Sequence, residues 1–380
     1  MSVLSRADDS LISHWWWTVD RWLLLALALL LAAGIILAFG ASTPKAEALG
    51  LSTFYFVKRQ ALYLLLAAGA MLGVSLLARA TVRRGAILLC LAALILTTAT
   101  VFAGSEYNGA TRWLSLGGIT IQPSEFLKPA LVITSAWLLA GAMEDRQFPG
   151  RCLSAALWAI SAILLALQPD VGQAALVSLV WGAQLVLSGA GAIWIAGLGG
   201  AVLMGLAGAY LLLPHVSERI DAFLAPGAAG YQVETALNAL RAGGLFGRGP
   251  GEGAVKKVLP DAHTDYIFAV AGEEFGSFAC LAILALFAVI VIRGLARLSE
   301  ETDPFVLLAA GGMLALVGLQ ALFNVAVNLA LLPPKGMTLP FISYGGSSML
   351  ALGAGMGAVL ALTRQTRFEK SDARRRGRWR

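Results

Sequence analysis

Long runs of apolar residues, separated by short polar segments, make up most of the chain. A helix needs roughly 20 apolar residues to cross the hydrocarbon core of a bilayer. Membrane spans are predicted near residues 22–41, 60–78, 85–104, 127–142, 152–168, 171–188, 191–213, 266–292, 304–332 and 345–363. The pattern therefore predicts an all-α polytopic membrane protein of about ten transmembrane helices.

The composition agrees with a chain that folds in a bilayer. Of its 380 residues, 58% are hydrophobic and 13% are charged, and the mean hydropathy is +0.77. Soluble domains carry about 25% charged residues. The cysteines and histidines are too scattered to predict a disulfide or a zinc site: Cys90, Cys152, Cys280, His14, His215 and His263. Much of the net charge of +6 lies in a tail beside the last span, which favours anionic lipid over nucleic acid as its partner.

Lysine and arginine in the short loops predict the orientation of the chain. With the N-terminus inside, the inner loops hold Arg79, Arg83, Arg84, Arg146, Arg151, Arg293 and Arg297, and the outer loops hold Lys45, Lys58, Arg59, Arg112 and Lys335. We therefore expect a cytoplasmic segment (1–21), a membrane domain (22–363) with a large periplasmic loop (214–265), and a basic cytoplasmic tail (364–380). The first apolar run is too long for the core of a cleaved signal peptide and is interpreted as a retained anchor.

Charged residues inside or beside membrane spans are costly and are therefore candidates for function. At the start of the fourth span, Glu125 follows a potential helix cap, and Lys128 lies one turn further into the helix. Lys128 either extends its long side chain to the interface or is buried and paired. Asp170, in a short outer turn, caps the sixth span or forms an ion pair with Lys128. The two roles of Asp170 are compatible, and we expect the pair to be structural or to act as a switch.

The long outer loop contains one predicted helix and a glycine-rich segment. Residues 231–241 place Val233, Ala236, Leu237 and Leu240 on one face, which predicts a short helix lying on the membrane surface. Lys256 and Lys257 follow the glycine-rich segment. Glycine backbone and lysine charge suit phosphate binding, although a flexible, solvated loop explains the same residues.

Asp265 stands where the long loop ends and the eighth span begins. Its carboxylate either caps that helix or acts as a general base towards a sugar hydroxyl, and the helix N-terminus and the apolar surroundings have opposite effects on its pKa. His263 either orients Asp265 or faces solvent. Glu273 and Glu274 cannot both face lipid, so at least one is expected to meet a polar partner inside the bundle.

The last span opens with a run of small residues. Ser343, Gly345, Gly346 and Ser347 precede or begin the predicted helix. A helix N-terminus rich in glycine and serine can bind an anion, but capping and close packing of small residues produce the same pattern in membrane helices. The sequence leaves both interpretations open.

Four segments, in this order, resemble the SEDS family (shape, elongation, division and sporulation), to which FtsW and RodA belong. The segments are Asn108–Lys128, Gln168–Asp170, Pro260–Gly276 and Pro340–Ser348, and the resemblance extends from Trp15 to about Thr363. Within the family the division branch, that of FtsW, is the more similar, on Trp15–Arg21 and Gly247–Gly253. The chain departs from the family pattern at Asp261, where glutamate is commoner, and at Tyr266, where phenylalanine is commoner.

The resemblance implies a peptidoglycan glycosyltransferase of the bacterial inner membrane, which polymerises lipid II into β-1,4-linked glycan during septal cell-wall synthesis. It aligns Asp265 with the family's essential acid, which we expect to act as the general base, and it implies functional importance for Arg112, Trp113, Glu125, Lys128 and Asp170. The expected substrate-binding residues are Arg112, Trp113, Glu125, Lys256, Lys257, His263, Ser343, Gly345, Gly346 and Ser347.

The same resemblance implies particular partners. These are the substrate lipid II, a class B penicillin-binding transpeptidase similar to FtsI, other division proteins, and Mg²⁺ or Mn²⁺ as a helper ion without an organic cofactor. Two alternative functions use the same residues differently. A lipid II transporter would line a path with Lys128, Glu273 and Glu274, and a non-catalytic scaffold would not need Asp265 for its function.

Overall fold

The computed structural model describes residues 10–107, 110–116, 119–224, 230–334 and 336–364. Thirteen α-helices lie in this part of the chain: α1 (Leu11–Thr18), α2 (Arg21–Ala48), α3 (Tyr55–Ser75), α4 (Arg79–Ala103), α5 (Pro123–Glu144), α6 (Gly150–Leu167), α7 (Val171–Leu187), α8 (Ala192–Leu212), α9 (Pro214–Leu224), α10 (Tyr231–Gly243), α11 (Ile267–Leu298), α12 (Pro304–Asn328) and α13 (Gly346–Leu362). The predicted tail beyond Arg364 and residue Asn108 fall outside the described residues.

Each of the ten predicted spans corresponds to a helix. Eight helices of the described chain are long and apolar enough to cross a membrane, and α7 and α13 are apolar helices of 17 residues. The prediction of a polytopic helical membrane protein is therefore confirmed. It holds because an apolar run of this length can satisfy its backbone groups in lipid only as a helix.

A small antiparallel sheet between α4 and α5 was not predicted. Its strands are β1 (Ser105–Tyr107), β2 (Ala110–Leu116) and β3 (Ile119–Ile121), in the order β1-β2-β3. The short strands lie in a polar connection outside the apolar runs, where the span pattern carries no information about structure. The sheet brings Arg112 close to the end of the helix bundle.

The helices differ greatly in how much of their surface is covered by protein. Nearly every residue of α5 and α12 is buried or half-buried, whereas no residue of α8 is buried. Small residues allow close contacts: a Cβ atom at Gly353 of α13 would lie 2.5 Å from the backbone oxygen of Ala67 in α3. Helices α5 and α12 also carry buried polar side chains near one end of the bundle, which are Glu125, Lys128, Gln320, Asn324 and Asn328.

The eighth predicted span is broken, which corrects the expectation of one continuous helix over 266–292. Gly276 has φ +80°, and the helix is kinked there into parts 267–275 and 277–298. A Cβ at this position would lie 2.3 Å from the oxygen of Leu245, so only glycine fits. The loop replaces the lost helical bonds, because Ser277 N donates to Gly244 O at 2.9 Å and Gly249 N donates to Glu274 O at 3.0 Å.

Helix α10 packs on protein, not on the membrane surface as predicted. A Cβ at Gly243 would lie 1.9 Å from the oxygen of Gly272, and one at Gly272 would lie 2.4 Å from Leu240 Cδ2. The apolar face of α10 is therefore covered by the first part of α11. Periodicity correctly predicted the helix and its apolar face, but periodicity does not distinguish a lipid surface from a protein surface.

Candidate functional site

Asp265 lies in a tight turn that immediately precedes α11. The turn begins at Asp261, which has φ +52°, and the Asp261 carbonyl accepts hydrogen bonds from the backbone N–H groups of Thr264 and Asp265 at 3.1 Å. The N-cap residue of α11 is Tyr266, and Asp265 makes no capping hydrogen bond. The interpretation of Asp265 as a helix cap is therefore wrong.

Two asparagines of α12 hold the backbone of Asp265. Asn324 Nδ2 donates to the Asp265 carbonyl at 2.8 Å and to the Met337 carbonyl at 2.7 Å. Asn328 Nδ2 donates to the same Asp265 carbonyl at 3.0 Å, while Asn328 Oδ1 accepts from Ala269 N at 3.0 Å. The position of Asp265 is thus determined by a buried helix together with its own tight turn.

The Asp265 carboxylate, in contrast to its backbone, is left without a partner. Within the described residues no group donates a hydrogen bond to it, and it forms no ion pair. Burial and, to a smaller extent, the negative charge of Asp261 raise the pKa of Asp265, while Arg112 lowers it, and the net result is a pKa of about 7. A carboxyl group with a pKa near neutral pH can exchange a proton under physiological conditions.

Arg112 reaches the same space from strand β2. A Cβ atom at Gly336 would lie 3.6 Å from Asp265 Oδ2 and 3.8 Å from Arg112 Nη1, so Gly336 lies alongside both charged groups. Arg112 Nε also donates to the Gln168 carbonyl at 3.2 Å and lies 3.5 Å from Asp170 Oδ2. The guanidinium is therefore held beside Asp265 by the turn between α6 and α7.

Lys128 and Asp170 both lie in the described part of the chain, and they do not form the predicted ion pair. Lys128 Nζ lies 2.9 Å from Glu125 Oε2 and donates to Gln320 Oε1 at 3.1 Å. Glu125 and Lys128 are three residues apart on α5, so their side chains share one helix face. Asp170 caps α7 through Gln173 N and pairs with Arg112. The prediction of a buried, paired lysine was right, but the partner was wrong.

Trp113 follows Arg112 in β2 and is half-buried. The register of β2 against β1 shifts beside Arg112, so strand alternation does not fix the direction of the Trp113 side chain. Among the described residues Trp113 forms no hydrogen bond or ring contact with the Asp265 turn, whereas Arg112 lies beside Asp265.

His263 neither faces solvent nor bonds to Asp265. Its ring is buried, 5.4 Å from the ring of Phe56 and 5.6 Å from that of Tyr344. Burial lowers the pKa of His263 to about 4, so the imidazole is neutral near pH 7. His263 supports the loop as a packed ring, and direct binding of an anion by it is not consistent with this environment.

Lys256 is engaged in a buried ion pair. Its Nζ contacts the carboxylate of Glu274, and Glu273 accepts hydrogen bonds from Val255 N at 2.7 Å and Lys256 N at 2.9 Å. Both glutamates therefore meet polar partners, as was expected for at least one of them. Lys256 is not available to a ligand, whereas Lys257 is exposed.

The small residues before α13 make structural hydrogen bonds. Ser343 Oγ accepts from Leu339 N at 2.8 Å and donates to the Thr264 carbonyl at 2.5 Å. Ser347 Oγ accepts from Gln122 N at 3.1 Å, and a Cβ at Gly346 would lie 2.9 Å from the ring of Tyr63. Close packing accounts for Gly346, and the two serines join α13 to neighbouring segments, whereas no side chain caps the N-terminus of α13. Gly345, half-buried, lies between them.

Comparison with known proteins identifies the family. The sequence pattern of the FtsW, RodA and SpoVE cell cycle proteins matches residues 21–368. The chain belongs to this family. It is 46% identical to the probable peptidoglycan glycosyltransferase FtsW of Caulobacter vibrioides over 363 aligned residues. The alignment covers 95% of this chain and 93% of that protein. The FtsW of Halorhodospira halophila is 36% identical over 383 residues, with 96% and 94% covered.

Solved structures of the family share the fold. A chain from a peptidoglycan synthase complex, studied for its coordination of polymerization and crosslinking, is 28% identical and superposes with a TM-score of 0.75 over 91% of this chain and 97% of that chain. The rod shape determining protein RodA of Thermus thermophilus is 26% identical, with a TM-score of 0.69 over 92% and 97%. The resemblance inferred from four short segments is thereby confirmed over nearly the whole chain.

Sequence reasoning missed the polar residues of α12. Gln320, Asn324 and Asn328 are spaced by four residues, so they form one polar stripe on an otherwise apolar helix, and all three are buried. Gln320 bonds Lys128 and the Thr338 carbonyl, and the asparagines hold Asp265. The signal was present in the sequence, because uncharged polar residues inside a span are also costly and these three recur every four residues.

The acids near the site fit a metal ion only in part. No group of three or more His, Cys, Asp or Glu side chains among the described residues is arranged to hold an ion. Asp261 is close enough to Asp265 to affect its pKa. Mg²⁺ is commonly bound by one or two carboxylates together with phosphate oxygens of a substrate. The residues therefore fit an ion that binds together with a pyrophosphate, and not an ion held by protein alone.

Proposed function

We propose that this protein is a peptidoglycan glycosyltransferase that polymerises lipid II into β-1,4-linked glycan, with Asp265 as the general base. One observation carries the proposal: a carboxyl group with a pKa near 7, and with no partner among the described residues, stands beside an arginine at the end of the membrane domain. The relatives, which include probable peptidoglycan glycosyltransferases and a chain of a peptidoglycan synthase complex, support the same activity.

In the proposed reaction Asp265 removes the proton from the 4-hydroxyl of an acceptor N-acetylglucosamine. The resulting oxygen attacks C1 of the donor's muramyl sugar, and the bond from C1 to the pyrophosphate oxygen breaks. Undecaprenyl pyrophosphate leaves, and a single displacement inverts the α-linked donor to a β-1,4 bond. General base catalysis of this kind contributes about 10²- to 10⁴-fold to a rate.

The leaving group develops negative charge, so cationic groups near it stabilise the transition state. Arg112 and the exposed Lys257 are the proposed cations, and Lys256 is not included because it pairs with Glu274. Asp261 together with the donor's pyrophosphate would hold Mg²⁺ or Mn²⁺, which neutralises phosphate charge when bound. Glu125, Lys128 and Asp170 are proposed to support Arg112 and α12 instead of contacting the sugar.

The proposed location is the bacterial inner membrane at the division septum, with both termini in the cytoplasm and Asp265 in the periplasm. Arg79, Arg83, Arg293 and Arg297 lie at the helix ends away from Asp265, which supports this orientation under the positive-inside rule. A class B penicillin-binding transpeptidase similar to FtsI and other division proteins are the proposed partners. The synthase complex among the structural neighbours supports a partner of this kind.

The test is reconstitution of the purified protein with the transpeptidase and labelled lipid II, in the absence of any other glycosyltransferase. Glycan polymer is expected with the native protein. With Asp265→Asn, which keeps the size of the side chain, polymer should fall by about 10²-fold or more. Glu234→Gln is the matched control, since Glu234 is an exposed acid on α10.

Two outcomes contradict the proposal in different ways. Movement of lipid II between leaflets without any polymer favours the transporter. Unchanged polymer with Asp265→Asn removes Asp265 from the reaction, and normal division by that variant favours the scaffold. In each case the thermal unfolding of the variant must match that of the native protein.

A further inference from the structure

A cavity of about 440 Å³ lies at the end of the bundle remote from Asp265. It is lined by the first turn of α4, the last turns of α5 and the first turn of α12. Asn324 and Asn328, at the other end of α12, hold Asp265, and a helix of this length spans about 37 Å. The cavity is therefore separate from the proposed active site, and its volume lies in the usual range for small-molecule sites.

Two of the four charged residues that line this cavity already have partners. Arg79 lies 3.4 Å from Asp303 and 3.5 Å from Glu301. Asp303 also caps α12, because its Oδ1 accepts hydrogen bonds from the first backbone N–H groups of the helix. Arg79 and Asp303 are therefore already engaged in holding the helices.

Two lining charges remain, and they have opposite signs. Arg83, one turn after Arg79 on α4, is half-buried, and Glu144 at the end of α5 is exposed. Neither side chain forms an ion pair or hydrogen bond within the described residues. The half-buried ring of Trp137 lines the same cavity, and tryptophan is typical of the boundary between lipid and water.

We propose that this cavity binds the headgroup of a membrane phospholipid that carries a primary ammonium, as in phosphatidylethanolamine. The Arg83 guanidinium donates hydrogen bonds to the phosphate oxygens, and the Glu144 carboxylate accepts hydrogen bonds from the ammonium. The acyl chains extend into the leaflet that surrounds the bundle. Basic pockets between membrane helices on the cytoplasmic side bind anionic lipid headgroups, and here Glu144 adds an acceptor for an ammonium beside the basic Arg83.

Other headgroups match the two charges less well. Phosphatidylglycerol has a phosphate for Arg83 but brings no cation to Glu144. Phosphatidylcholine has a cation without N–H donors, so it cannot hydrogen-bond to the carboxylate. Free phosphate offers an anionic group to Arg83 but no cation to Glu144. The presence of both Arg83 and Glu144 at the cavity therefore favours a headgroup that carries both a phosphate and a cation with N–H donors.

The test is to measure which lipids remain bound to the full-length protein. The protein is reconstituted with equal amounts of phosphatidylethanolamine, phosphatidylglycerol and phosphatidylcholine, extracted gently, and examined by native mass spectrometry. Retained phosphatidylethanolamine should exceed each other lipid several-fold. Arg83→Gln should reduce this retention about tenfold, which corresponds to ~1.4 kcal/mol.

Arg84→Gln is the matched control, because Arg84 is the next residue on α4, is exposed, and does not line the cavity. Its retention should equal that of the native protein. Glu144→Gln should keep binding to phosphate but lose the preference for phosphatidylethanolamine over phosphatidylglycerol. This second variant keeps the proposal testable even where Arg83→Gln unfolds.

Three results would overturn the lipid site. These are equal retention of phosphatidylglycerol by the native protein, unchanged retention in Arg83→Gln, and thermal stabilisation by inorganic phosphate equal to that by the lipid. The last result would identify a phosphate site without lipid specificity. None of them bears on Asp265, so the glycosyltransferase proposal is tested separately.

Discussion

The two ends of the short stretch from Asp265 to Glu274 use carboxyl groups in opposite ways. At Glu273 and Glu274 the carboxylates are fully engaged, by two backbone N–H groups and by the ammonium of Lys256. At Asp265 the backbone carbonyl is engaged by Asn324 and Asn328, while the carboxylate has no hydrogen-bond or ion-pair partner in the part of the chain that the structure describes. Both regions are rigidly held, but only one retains an acid that can exchange a proton.

The comparison teaches that the number of acids near a membrane surface does not identify the reactive one. A carboxylate with satisfied hydrogen bonds and a cation stabilises structure, and its charge is costly to disturb. A carboxylate that is partly buried and unpartnered has a raised pKa and is available for chemistry. Substitutions around Glu274 should therefore lower the stability of the fold, whereas substitution of Asp265 should lower the activity.

The largest expected effect is on stability at the buried ion pair. Lys256→Met leaves the buried Glu274 carboxylate without its cation, which typically costs about 3–5 kcal/mol. The midpoint of thermal unfolding should fall by several degrees. Lys257→Met, at the exposed neighbouring residue, should change stability by less than about 0.5 kcal/mol. Equal losses of stability in Lys256→Met and Lys257→Met would contradict a structural role for the Lys256–Glu274 ion pair.

Asp265→Asn, measured by the same thermal unfolding, should affect stability in the opposite way to Lys256→Met. The pKa of Asp265 is about 7 in the fold and about 3.9 in an unfolded chain. The stability contributed by the protonated form is therefore fully present below pH 4 and is lost as pH rises through about 7. At pH 8 Asp265→Asn should unfold no earlier than the native protein, while glycan polymerisation is lost.

An intermediate effect is expected from the asparagine that positions Asp265. Asn324→Leu removes one of the two side-chain donors to the Asp265 carbonyl and the side-chain donor to the Met337 carbonyl, and an unsatisfied buried group costs about 1–3 kcal/mol. The polymerisation rate should fall more than the affinity for lipid II, because the base is displaced. A purely structural role would leave the pH dependence of the remaining activity unchanged, so a shifted pH profile distinguishes positioning from stability.

The smallest effects are shifts of the pH profile. Because the base must be ionised, kcat/KM for polymerisation should rise with pH to a plateau, with a midpoint near the pKa of about 7. Asp261→Asn removes a negative charge that raises this pKa, so its midpoint should move to lower pH. Arg112→Gln removes a positive charge that lowers it, so its midpoint should move to higher pH. Shifts in the same direction would show that neither charge acts on Asp265.

Much of this site was predictable, within limits that have a physical basis. Asp265 was correctly located at the start of the eighth span, because the change from polar to apolar residues at that point can be read from the local sequence. The partner of Lys128 was not predictable in the same way. Glu125 lies on the same helix as Lys128 and Asp170 lies at the same end of a neighbouring predicted span, so both are candidates, and the choice depends on how α5, α7 and α12 pack.

The sequence by itself determined the membrane spans, because the bilayer imposes length and apolarity on each helix separately. Only the tertiary structure decided which polar groups are satisfied. The break at Gly276, the pairing of Lys256 with Glu274 and the asparagine contacts to Asp265 all join segments that are distant along the chain. Hydrogen bonds and ion pairs depend on distances of a few ångströms between such segments, and no local pattern of residues encodes those distances.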